Sequence, residues 1–118
     1  MRFLQMFILV FVFAFAATAF AEPPLMSPAG VDKAAAIHNE EGIKTLNGGN
    51  AIAAETHFRE ALKIAPSFAR AHYNLGLALH AQAKHGAATE EFRKAKELDP
   101  KDRQIADSGV LKTHIAPY

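Results

Sequence analysis

The chain matches itself at an offset of 34 residues. Shifted by that interval, Gly42 falls on Gly76, Ala54 on Ala88, Phe58 on Phe92, Ala61 on Ala95 and Pro66 on Pro100. The matched residues are small, bulky and aromatic, or helix-breaking, which are the types that packing and chain reversal fix. A period of this length is the signature of a helix-turn-helix unit stacked into a solenoid. The expected fold is therefore all-α, with function read from a stacked scaffold.

Length and charge narrow the field further. At 118 residues there is room for one domain at most, and a domain of that size has little stability to spare. Arg2 is one of 13 basic residues, so the chain from Glu22 onward balances 12 basic against 12 acidic groups. Without a basic excess, nucleic acid is not an expected partner. Cysteine is absent, which removes disulfides, thiolate catalysis, thiolate metal sites and covalent haem attachment.

Residues 1–21 stand apart in composition. Arg2 is their only charge, an apolar run from Phe3 to Ala17 is broken only by Gln5, and Ala19-Phe20-Ala21 follows. A basic start, an apolar middle and an A-x-A end make a secretory signal peptide, with cleavage expected between Ala21 and Glu22. The alternative is an uncleaved anchor, since Phe3 to Ala21 approaches the roughly 20 apolar residues of a spanning helix. Residues 22–32 open with E-P-P-L-M-S-P-A-G-V, whose three prolines predict an extended tether that lets the scaffold stand away from a membrane or a processing site. A tail with no role is the bland alternative.

Residues 33–68 and 69–102 are the two expected repeats, and 103–118 a capping helix and tail. Asp32 is placed as the N-cap of a helix from Lys33 to about Asn47, broken by Gly48-Gly49-Asn50. A second helix runs from Ala51 to Ile64, with Ala54, Phe58, Ala61 and Leu62 on one face and Pro66 at its end. The third spans Phe68 to about Ala83 after a Ser67 cap and carries Ala71, Leu75 and Leu79. Lys84-His85-Gly86 makes the turn, and the fourth runs from Ala87 to Leu98 before Pro100, with Phe92 and Ala95 inward. Glycine inside a helix costs about 1 kcal/mol relative to alanine. Gly42 and Gly76 are therefore assigned to close helix approach, with Phe58 and Phe92 filling the space. Asp102 caps a fifth helix, Arg103 to about Thr113, that covers the last apolar face.

With these residues in place, Y-N-L-G from Tyr73 and K-A-K-E-L-D-P from Lys94 closely resemble the tetratricopeptide repeat family. The resemblance covers about Ala35 to Asp102 and implies a short right-handed α-solenoid. The first copy departs from the family at Glu41 and Thr45, which leaves its outer helix to pack loosely or to lean on the Pro-rich segment or on another subunit. The resemblance also implies a concave groove lined by the first helix of each pair. Here the lining would be Asn39, Ile43, Leu46 and Asn47, then Arg70, Tyr73, Leu77 and His80, with Asp107, Leu111 and His114 closing one end. Tyr73, Arg70 and Asn39 are the expected anchors. Asn74 alone matches the carboxylate clamp of some relatives, so no clamp is expected. Ile43, Leu46 and Leu77, read as exposed, would form an interface if copies self-associate.

Six histidines invite a metal reading. Along helices, ligand pairs want i, i+3 or i, i+4 spacing, and neither His72 with His80 nor His80 with His85 fits, so no metal or cofactor is expected. The glutamates, Glu91 among them, are assigned to solvated helix faces. No phosphate loop or nucleophile elbow occurs, so no enzyme is expected. The leading expectation is a non-catalytic exported adaptor, periplasmic or secreted, that holds another protein in its groove. The alternatives are a membrane-anchored structural subunit with an uncleaved N-terminal helix, and a histidine-based metal carrier using His80 and His85.

Overall fold

A computed structural model describes residues 22–115, so the expected signal peptide lies outside the described residues. Six helices follow one another: α1 (Lys33–Asn47), α2 (Ala51–Ile64), α3 (Ala69–Ala81), α4 (His85–Leu98), α5 (Arg103–Ala106) and α6 (Gly109–His114). Among the described residues there is no strand. α1 packs on α2 and α3 on α4 as antiparallel pairs, α2 packs on α3 between the pairs, and α5 and α6 close over α4.

Caps and breakers explain the boundaries. Asp32 accepts hydrogen bonds from the amides of Ala34 and Ala35, and Asn50 from that of Ala53. Each satisfies donors that a helix start leaves free. Gly49, at φ +88°, turns the chain between α1 and α2. In the second pair the turn lies at Gln82–Lys84, earlier than the sequence suggested. Ala83 there takes φ +60°, and α4 begins at His85. Phe68, not Ser67, occupies the N-cap of α3 and makes no side-chain cap bond. The single fifth helix expected from Arg103 to Thr113 is two helices. Ser108 breaks it by capping α6, accepting a hydrogen bond from the Leu111 amide.

Gly42 in α1 and Gly76 in α3 sit against aromatic rings. A Cβ added at Gly42 would meet the Phe58 ring at 2.5 Å, and one at Gly76 would meet the Phe92 ring at 2.5 Å. Cβ atoms essentially never come so close, so alanine at either position would have to displace a buried ring. Phe58, Phe92, Ala54, Ala61, Ala88 and Ala95 are fully buried. Ile43, Leu46 and Leu77, expected on an exposed face, are buried too. They belong to the main core cluster, which also takes in Leu25 from the proline-rich stretch. Glu91 leaves the solvated face assigned to it. It is buried and meets His72 Nδ1 at 2.6 Å and Lys94 Nζ at 2.9 Å.

Candidate partner-binding groove

The first helices of the two pairs, α1 and α3, bring their polar side chains to one inner surface. That surface is covered by the chain's own residues Glu22–Ser27. The proline-rich stretch, expected to stand away as a tether, forms neither helix nor strand and is packed against the scaffold. Proline supplies no donor and holds its neighbours out of the helical region, so the stretch keeps its free peptide groups for the groove.

Leu25 is the centre of the contact. Its amide donates to Asn74 Oδ1 at 2.7 Å, and its carbonyl accepts from Asn74 Nδ2 at 2.8 Å and Asn39 Nδ2 at 3.3 Å. One asparagine thus reads both polar groups of a single residue. Asn74 Nδ2 also donates to Asn39 Oδ1 at 2.8 Å, and Asn39 Nδ2 donates to Ser27 Oγ at 3.1 Å. Both amides are fully buried, and each makes bonds through its oxygen and through its nitrogen, as burial demands. The Leu25 side chain enters the apolar core while its backbone is held by polar groups. Side-chain burial and backbone bonding are the two components by which extended peptides are recognised.

The ends of the segment are held by charged groups. Arg70 donates to the Met26 carbonyl at 3.0 Å and is oriented by Asp102 at 2.7 Å. At the other end the Tyr73 hydroxyl donates to Glu22 Oε2 at 2.9 Å and lies 2.8 Å from Ser108 Oγ. The backbone amides of Gly109 and Val110 also donate to Glu22. Burial tends to raise the Glu22 carboxyl, but the hydrogen bonds from Ser108, Tyr73, Gly109 and Val110 outweigh it and hold the group below its usual range. Burial pushes the Tyr73 phenol up, and the Glu22 charge pushes it further.

The residues expected to line a groove divide into three sets. Asn39, Arg70 and Tyr73 meet the segment directly. Ile43, Leu46 and Leu77 form the apolar floor, inside the core. Asn47 is exposed and takes no part, while His80 faces other histidines. Asn74, Ser108 and Glu22 were not singled out as groove residues. The signal for Asn74 was its place in Y-N-L-G, where a short amide amid apolar residues of a buried helix must find a partner.

The repeat itself has independent support. A family model described as a TPR repeat matches residues 49–83, and one described as a tetratricopeptide repeat matches residues 69–102. The chain belongs to the tetratricopeptide repeat family. Over 85 residues it is 32% identical to the type IV pilus assembly protein PilF of Pseudomonas aeruginosa, covering 72% of this chain and 34% of that protein. It spans about a third of the length of that curated relative. No solved structure is significantly similar to it. Tetratricopeptide repeats are generally a non-catalytic protein-interaction fold, and the chain is a protein-interaction module in that sense.

The repeat geometry also assembles histidines that helical spacing kept apart. His80, His85 and His114 lie with one ring nitrogen each within 4.8 Å of the others, as do ligand atoms of His38, Glu41 and His57. Burial holds the His80 and His114 imidazoles below their usual range, and the neighbouring histidine charges add to it. His80 and His114 are one 34-residue period apart, so stacking makes them neighbours although no single helix spaces them as a pair.

No helix among the described residues is long and apolar enough to cross a membrane.

Proposed function

We propose that this tetratricopeptide repeat protein is an exported, non-catalytic adaptor whose inner groove holds an extended segment of a partner protein. The observation that carries this reading is the bidentate bond of Asn74 to the Leu25 backbone. It recognises a peptide by its main chain, with an apolar side chain entering the floor and a carboxylate held at Tyr73. The chain's own Glu22–Ser27 serves as the pattern for the ligand. A partner segment of similar form, an acidic residue followed by an apolar one in a proline-rich stretch, takes its place.

Export rests on the composition of residues 1–21 and places the groove on the far side of the cytoplasmic membrane. The similarity to a type IV pilus assembly protein supports a partner drawn from an envelope assembly. Mass measurement of the product separates the cleaved adaptor from the anchored subunit: loss of the first 21 residues favours the adaptor.

The groove is tested with a fluorescent peptide of sequence Glu-Pro-Pro-Leu-Met-Ser added to the Leu25→Asp variant, whose own segment no longer fits the apolar floor. Saturable binding is expected, and loss of it when Asn74→Ala is added. Binding indifferent to Asn74, or none by a folded Leu25→Asp protein, would refute the groove assignment.

A further inference from the structure

We propose that His80, His85 and His114 form a binding site for one borderline divalent cation, with zinc as the first candidate. The three imidazoles come from three elements: the last turn of α3, the first residue of α4 and the last residue of α6. Their ring centroids are 5.0, 5.0 and 5.8 Å apart. His80 Nδ1 lies 2.9 Å from His114 Nε2. Three nitrogens bound tetrahedrally to zinc at 2.0–2.1 Å stand about 3.3 Å from one another, so small ring rotations bring this set to that geometry.

The surroundings fix which nitrogen of His114 is free. Thr89 Oγ1 donates its one proton to the His85 carbonyl at 2.9 Å. His114 Nδ1, 2.8 Å from the same oxygen, must therefore be the donor in that contact. Its lone pair then lies on Nε2, the nitrogen that faces His80. This is the arrangement by which a hydrogen-bonded outer residue orients a metal-ligating histidine and sets its tautomer. Without a cation, the proton on His80 Nδ1 occupies that lone pair. When a cation binds through His80 Nδ1, that proton moves to Nε2 of the same neutral ring, so no net proton is lost. His85 is exposed, which leaves the fourth position open to water or to a side chain from a partner. Three imidazoles suit zinc, copper(II) and nickel(II), and exclude the oxygen-seeking calcium and magnesium.

The site also joins two parts of the molecule. Through His114 a cation ties α6 to the end of α3 and the start of α4. α6 carries the Gly109 and Val110 amides that hold Glu22, so a bound cation firms one wall of the groove.

The test is titration of the purified protein with zinc chloride, followed by calorimetry and by X-ray absorption at the zinc edge. One zinc per chain is expected, with three imidazole nitrogens and one oxygen in its shell. His85→Ala, at an exposed position, should weaken binding at least tenfold. Thr89→Val should weaken it about tenfold through loss of the positioning bond, with Thr89→Ser restoring it. Circular dichroism establishes that each variant is folded. No zinc retained by the folded wild type would overturn the proposal. So would retention unchanged in His85→Ala, or lost in His57→Ala instead.

Discussion

The two repeats agree in their packing and disagree in their polar groups. Gly42 against Phe58 and Gly76 against Phe92 are the same contact made twice, to within a tenth of an ångström at each nearest ring atom. One period away from His72 and Glu91 stand His38 and His57. The second pair is hydrogen-bonded at 2.6 Å, whereas the first leaves His38 Nδ1 buried and without a hydrogen-bond partner, the Glu41 carboxylate standing 3.8 Å away. The left-handed turn residue is Gly49 in the first repeat and Ala83 in the second. Asn50 caps α2 through its side chain, while Lys84, its counterpart before α4, does not. Packing has one good solution for a helix hairpin, so it recurs. Polar groups answer to whatever lies next to them, and only the second repeat faces both the bound segment and α6.

The shared contact gives the largest expected effect. Gly42→Ala and Gly76→Ala each force a methyl into a phenyl ring and should each destabilise by about 2 to 3 kcal/mol in urea unfolding. A large inequality between them would show that the repeats are not packed alike. Next, His57→Glu together with Glu41→Gln rebuilds in the first repeat the pair that the second already has. Glu41 must change because its carboxylate lies 3.4 Å from His57 Nδ1 and would repel the new charge. The double variant should gain about 1 kcal/mol, read from the shift in melting midpoint against Glu41→Gln alone.

Ala83→Gly keeps the left-handed turn and removes the Cβ that makes it costly, so it should gain about 0.5 to 1 kcal/mol in the same assay despite the looser unfolded chain. Gly49→Ala should lose a similar amount. The smallest effect is that of pH. The Glu22 and Glu91 carboxyls are both held below the ordinary glutamate value of 4.5. Their contribution is therefore complete above that value and is lost as pH falls through the lowered folded values. The melting midpoint should begin to fall below the ordinary histidine value of 6.5, because the folded state resists protonation of His80 and His114, and should fall further below about pH 4.5, with Glu91→Gln flattening only the second fall.

Much of the scaffold could be read from the sequence, because its restraints recur at a fixed interval and sterics leave few choices. α1 and α2 begin and end where Asp32, Asn50, the Gly48-Gly49 break and Pro66 put them. α5 and α6 were read as one helix because Ser108 was taken for a helix residue, and only the tertiary fold makes it a cap. The groove was less legible. Arg70, Tyr73 and Asn39 could be picked out by side-chain type on an inner helix face. Nothing local told that Leu25, a single large apolar residue among prolines, would return 49 positions along the chain to bond with Asn74. The histidine cluster was hidden for another reason. Ligand spacing was measured along one helix, while the contact of His80 with His114 runs across the stack.

The groove holds its occupant through the main chain of Leu25. Amide hydrogen exchange at Leu25, followed by NMR in the intact protein, tests this most directly. That amide should be protected at least a hundredfold over an unstructured peptide, an opening free energy of about 2.7 kcal/mol, and Asn74→Ala should abolish the protection while α2 and α4 keep theirs. Exchange of Leu25 in the wild type at the rate of a free peptide would contradict it.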